Sequence, residues 1–92
     1  MTSRTVTVPN PLGLHARAAA RFAQLAGRFE AHIRIGRNGR TTDGKSIMGI
    51  LLLAAAKGTS VTVSADGRDE VEAVGALCAL IESGFGETSW NA

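Results

Sequence analysis

Ala31-His32-Ile33-Arg34-Ile35-Gly36-Arg37-Asn38-Gly39-Arg40-Thr41-Thr42 is the stretch that decides the architecture of this chain. Ala31, Ile33 and Ile35 alternate with His32 and Arg34, the period of a strand with one face in the core. Asn38-Gly39 supplies the two residues that most readily hold the left-handed backbone of a tight hairpin turn. Arg40 to Thr42 is therefore a third strand, antiparallel to the second and short enough to suit a sheet edge. A hairpin in mid-chain makes the sheet antiparallel, and the rest of the fold must cover one of its faces.

Working outward toward the N-terminus, Thr5 to Val8 alternates polar and apolar residues as a half-buried strand, and Pro9 to Gly13 forms a loop. From Ala16 the period changes. Ala19, Phe22, Ala26 and Phe29, joined by Leu25, recur at helical spacing, and Gly27 is the stop. Arg17, Arg21 and Arg28 lie on the opposite face, within about 40° of one another. Toward the C-terminus, Asp43-Gly44 turns the chain and Ser46 caps a short helix over Ile47 to Ala56, with Gly58 as its stop. Val61, Val63 and Ala65 alternate with Ser60, Thr62 and Ser64 in a fourth strand, and Asp66-Gly67 turns again. Asp69 and Glu72 have capping-box spacing. Val71, Val74, Leu77, Cys78 and Ile81 give a third helix its buried stripe, and Gly84 ends it.

The order is β-α-β-β-α-β-α. One apolar face per strand and one apolar stripe per helix predict an α+β, open-faced two-layer sandwich, a four-stranded antiparallel sheet with three helices on one face. Residues 1–84 form the domain, and 85–92 read as a Gly- and polar-rich mobile tail.

Composition sets the outer limits. Ninety-two residues fit one small domain. The longest apolar run, Ile50 to Ala56, falls well short of the roughly 20 residues that span a bilayer. The N-terminus leads straight into a strand pattern without a signal-peptide apolar region, so the expectation is a cytoplasmic protein without a membrane segment. Cys78 is the only cysteine, which excludes an intrachain disulfide and reads as a buried, inert thiol. A net charge of +2 suits acidic partners better than nucleic acid. The arginine face of the first helix lacks the stacking aromatics of a single-strand binder, so no nucleic-acid partner is expected.

Chemistry concentrates at Gly13-Leu14-His15-Ala16-Arg17. An imidazole stands where a helix begins, beside backbone N–H groups that have no acceptor and a positive macrodipole end. An anion is stabilised there. A phosphoryl group on His15 would lie against the N–H groups of Ala16 and Arg17, and the Arg17 guanidinium could neutralise one oxygen. Nothing in the sequence suggests a nucleotide loop or a catalytic carboxylate beside the histidine, so a carrier fits better than an enzyme. His32, alternating outward on a strand, has nothing arranged around it.

This motif, with Lys45-Ser46-Ile47-Met48-Gly49 about thirty residues later, resembles the HPr family. These are the histidine-containing phosphocarriers of the bacterial phosphoenolpyruvate-dependent phosphotransferase system. The similarity covers nearly the whole chain, including the Gly84-Phe85-Gly86-Glu87 segment. It implies the strand order 1-4-2-3 and phosphoryl transfer to His15 Nδ1 from enzyme I, then onward to an EIIA-type domain, with Arg17 as the phosphate partner. It implies no cofactor and no metal, and a monomer is expected. Proline usually follows the motif's arginine, whereas position 18 here is alanine; transfer is expected to survive that change.

Ser46 reads as a helix cap, and the resemblance makes it also the target of a regulatory kinase, HPr kinase/phosphorylase. Through water at about 10 Å, repulsion between two phosphates is only about 0.4 kcal/mol per unit charge pair, too little to block transfer. Inhibition would come instead from charge placed in an apolar docking face, for which Ile47, Met48 and Leu51, with Ala20 and Gln24, are the candidates. Exposure of Ile47 and Met48 distinguishes such a face from overflow of the core. The competing reading is a regulatory module of the same fold, from the nitrogen-related branch, that acts mainly by docking partners.

Overall fold

In the computed structural model, which describes residues 1–85, Asn38 and Gly39 have φ of 49° and 80°. These are the left-handed values a two-residue hairpin requires. They join β2 (His32–Arg37) to β3 (Arg40–Asp43), with Arg37 opposite Arg40 and Arg34 opposite Asp43. β1 (Thr2–Thr7) and β4 (Ser60–Asp66) complete a four-stranded antiparallel sheet in the order β1-β4-β2-β3. Val61, Val63 and Ala65 of the inner strand β4 are buried on one face, while Ser60 and Thr62 on the other are exposed. The expected one-sided sandwich is therefore present.

Three helices cover the buried face: α1 (Ala16–Ala26), α2 (Ile47–Leu53) and α3 (Glu70–Glu82). α3 packs on β1 and β4, α2 on β2 and β3, and α1 touches both other helices. The stripe of α1 is mostly alanine (Ala18, Ala19, Ala23 and Ala26, with Phe22), which allows close approach. Phe22, Ile33, Ile35, Ile50, Leu77 and Ile81 are fully buried and form the centre of the core. Cys78 lies there too, and burial holds its thiol above the usual range.

Several boundaries differ from the expectation. β1 starts at Thr2, because Thr2, Ser3 and Arg4 pair with Ala65, Ser64 and Val63. α2 stops at Leu53 rather than Ala56, since Ala54 turns left-handed with φ 52° and ψ 39°. Alternation in β1 and the periodicity around Ala54 carry no sign of either event. Val71 is 70% exposed and so lies outside the buried stripe of α3, where Ala73 takes its place.

The Asp69–Glu72 capping box does not form. Asp69 makes no cap bond to its own helix; its carboxylate accepts instead from the N–H groups of Glu30 and Ala31, at 2.9 and 2.8 Å. Those bonds hold it below the usual carboxylate range, the Glu30 N–H contributing most. Phe85 is also placed differently from the expected tail. It is fully buried, with φ 58°, so the core extends past Gly84. The remainder of that tail, 86–92, lies outside the described residues.

β1 is tied to α3 by Glu70. Its carboxylate accepts from Thr2 Oγ1 at 2.6 Å and from Gly67 N at 3.2 Å, and pairs with the α-ammonium of Met1 at 2.9 Å. These partners, Thr2 foremost, lower its pKa from 4.5 to about 2. A depressed carboxylate contributes stability that is present above its unfolded pKa and lost as pH falls toward the folded one. Denaturant midpoints should therefore drop as pH falls from 4.5 to about 2, and Glu70→Gln should flatten that part of the profile. Equal acid slopes in the two proteins would contradict this assignment.

Ala54 sits where a residue with Cβ is strained. A left-handed alanine costs about 1–2 kcal/mol, against about 0.5–1 kcal/mol for the extra unfolded-state freedom of glycine. Ala54→Gly should accordingly stabilise the protein by about 0.5–1 kcal/mol, measured by urea unfolding. Destabilisation would contradict the strain.

Candidate functional site

The loop before α1 is tied to the far end of the sheet. Val8 continues the β1 pairing, accepting from Gly58 N at 2.8 Å and donating to Thr59 O at 2.9 Å. A turn follows in which Gly13 N donates to Asn10 O at 3.1 Å and Asn10 Nδ2 donates to Gly13 O at 2.7 Å. Gly13 then adopts φ 63°, and a Cβ at that position would lie 2.4 Å from Ala55 O. Only glycine permits this approach. Leu14 is buried and donates to that same carbonyl at 2.8 Å.

These contacts deliver His15 to the N-cap of α1 with extended backbone, φ −76° and ψ 179°. Its carbonyl accepts the first helical bond, from Ala19 N, at 2.8 Å. Its side chain caps the helix: Nδ1 accepts from Arg17 N at 3.3 Å. The bond is long, at the weak end of the useful range. It nonetheless assigns the neutral ring's proton to Nε2 and turns Nδ1 toward the helix end. His15 is half-buried, while Ala16 and Arg17 are exposed and Ala18 is fully buried. α1 has no acidic residue of its own in its first turn to oppose an anion.

Ser46 stands at the N-cap of α2, and its Oγ accepts from Gly49 N at 3.1 Å. The approach to it is built by Asp43, which accepts from Lys45 N through Oδ1 and from Ser46 N through its carbonyl, at 2.9 and 3.1 Å. Lys45 Nζ donates to Phe29 O at 2.9 Å. Gly49 lies so close to β3 that a Cβ would meet Thr42 Oγ1 at 2.0 Å.

Beyond Ser46, α2 turns part of an apolar face to solvent. Ile47 is 43% exposed and Met48 67%, whereas Ile50 and Leu53 point into the core. Leu51 and Ala20 are half-buried and Gln24 is exposed. Helices α1 and α2 pack together, so the two capped N-termini belong to adjoining elements.

Some contributors to this region are not apparent from motif or period. Leu52, 69% exposed, extends the apolar surface of α2. Arg37 Nη1 donates to Leu53 O at 3.1 Å and Ala54 O at 2.7 Å, capping the C-terminus of α2 from the hairpin. Asn10 is a buried side chain inside a loop, where a turn role is the only sequence signal. Among the described residues, no group of three or more His, Cys, Asp or Glu is placed to hold a metal ion, and no helix is long and apolar enough to cross a membrane.

Comparison with known proteins matches this architecture. The family model described as PTS HPr component phosphorylation site covers residues 2–83. The phosphocarrier protein HPr of Cupriavidus necator is 54% identical over 87 residues, 95% of this chain and 98% of that protein. The phosphocarrier protein NPr of Shewanella violacea is 41% identical over 86 residues, 94% of each chain. The crystal structure of HPr-C-His from Thermoanaerobacter tengcongensis superposes with a TM-score of 0.91 at 46% identity, over 95% of this chain and 98% of that one. With a family match over almost its whole length, this chain belongs to the HPr family, phosphocarriers of the phosphotransferase system rather than enzymes with a reaction of their own.

Proposed function

We propose that His15 Nδ1 accepts a phosphoryl group from enzyme I and passes it to an EIIA-type domain, in the cytoplasm. The supporting observation is the Arg17 N–H directed at Nδ1 across the first turn of α1. Nδ1 is aimed at the helix end, where a bound phosphoryl group meets positive potential and the N–H groups of the first turn. In the forward step the Nδ1 lone pair forms the N–P bond. The bond from phosphorus to the enzyme I nucleophile breaks, and that nucleophile keeps the electron pair. The ring proton stays on Nε2. Phosphoryl oxygens then take over the N–H groups of Arg17 and Ala16, and the Arg17 guanidinium neutralises one of them. A second displacement, by the EIIA nucleophile, returns His15 to its starting state.

Incubation with enzyme I and phosphoenolpyruvate should yield one acid-labile, base-stable phosphate per chain, and His15→Ala should abolish it. Label retained in that variant would overturn the assignment.

The docking surface in this reading is the exposed apolar part of α2, Ile47, Met48 and Leu51, with Ala20 and Gln24 of α1. Exposure of Ile47 and Met48 supports it, since neither is needed by the core. Ser46 lies at the edge of that surface. Phosphorylation by a kinase of the HPr kinase/phosphorylase type would add roughly −1.5 to −2 charge at a helix N-terminus, which tolerates it, beside apolar residues, which do not. The nitrogen-related alternative draws support from the similarity to the Shewanella violacea NPr, but the higher identity to the Cupriavidus necator HPr favours the first reading. Ser46→Asp should slow transfer from enzyme I at least about tenfold. Ser46→Ala should lose only the cap, about 1 kcal/mol of stability. Equal transfer rates in the two variants would remove Ser46 from regulation.

A further inference from the structure

We infer that Asn10 is a positioning residue for the phosphoryl acceptor, holding the peptide plane that aims His15. The inference rests on the reading of His15 as that acceptor. Asn10 is 2% exposed, and its Oδ1 is buried without a hydrogen-bond partner. A buried orphan acceptor is unfavourable, and an apolar side chain of the same shape would avoid it. What the amide provides in return is one bond, from Nδ2 to Gly13 O at 2.7 Å.

That carbonyl belongs to the peptide between Gly13 and Leu14, whose N–H end donates to Ala55 O at 2.8 Å. Both ends of a single peptide plane are thus pinned from opposite directions, by a side chain of the loop and by the backbone beyond α2. Rotation of this plane is coupled directly to the backbone of Leu14 and so to His15, the next residue. The His15–Arg17 bond at 3.3 Å leaves little tolerance; a small rotation would take Nδ1 off the helix end. Gly13 has no Cβ to resist such a rotation, and its left-handed conformation needs an external restraint. Asn10 supplies it.

The test compares Asn10→Leu, which keeps the shape and removes the donor, and Asn10→Ala, which removes both, with the unaltered chain. Phosphoryl transfer from enzyme I and the amide proton shift of Arg17, recorded with the imidazole neutral, are measured on each. The proposal expects folded variants in which transfer falls at least about tenfold, as small misplacements of a reacting group do, and the Arg17 amide signal moves upfield. A merely structural role would leave the Arg17 signal in place. A folded variant with transfer at the starting rate, or with slowed transfer and an unmoved Arg17 signal, overturns the proposal. Should one variant fail to fold, the other decides by the same pair of readouts. Failure of both to fold would make Asn10 a folding residue and also overturn it. If the unaltered chain takes no label on His15, the functional reading fails, while the Arg17 signal still tests the Asn10 restraint.

Discussion

The carbonyl of Ala55 is the fixed point on which the site is assembled. It accepts the Leu14 N–H, and it occupies the space that a side chain on Gly13 would need. A loop with two prolines and a glycine has no regular structure to hold it, so its position must come from elsewhere. Here it comes from a backbone group just past α2, in the link to β4. Because Leu14 is buried at the same place, one contact combines a hydrogen bond, a steric restriction and apolar burial.

The consequences spread along the chain in both directions. On one side, Ala55 is delivered by the left-handed turn at Ala54, which ends α2 three residues earlier than helical periodicity would suggest. Arg37 reaches across from the hairpin to cap the carbonyls of Leu53 and Ala54. The hairpin that defines the sheet therefore also stabilises the end of the helix that receives the loop. On the other side, the loop places His15 at an N-cap with its ring facing the first N–H groups of α1. Ala55 is itself buried in the core, so a longer side chain there would have to displace the backbone and its carbonyl with it. The site is sensitive both to the course of the chain here and to the small size of the residue.

Most of the architecture is legible in the sequence, because periodicity and turn chemistry are local signals. Alternation locates β2 and β4, Asn38-Gly39 marks the hairpin, and Ser46 marks a helix start that the Gly49 bond realises. What is illegible depends on distant partners. Asp69 has the spacing of a capping box, yet its carboxylate is taken by the N–H groups of Glu30 and Ala31, which sit almost forty positions away along the chain. Phe85 follows a helix-ending glycine in a polar segment, and only the assembled core shows that it fills a buried position. The strand order 1-4-2-3 belongs to the same class, since it followed from family resemblance and not from any local pattern. The placement of His15 at a helix start is legible in its motif. Of the restraints around it, the Ala55 contact is tertiary, while the Asn10 bond spans only three residues but has no motif or period to announce it.

The weakness of the His15–Arg17 contact is itself consistent with a carrier. A group that must be loaded by one protein and unloaded by another should not be held by strong bonds on either side of the exchange. Stabilisation of the bound state that is absent from the transition state raises the barrier to the next transfer. The long bond from the Arg17 N–H orients the nitrogen, and the Arg17 side chain beside it is exposed. Charge developing on the phosphoryl oxygens during transfer can then be met by the partner that closes over the site, where exclusion of water makes its dipoles effective. The exposed apolar residues of α2 are suited to excluding that water. On the proposed reading, the division of labour follows from the geometry: precision in aiming is built into this chain, and transition-state stabilisation is left to whichever partner is docked.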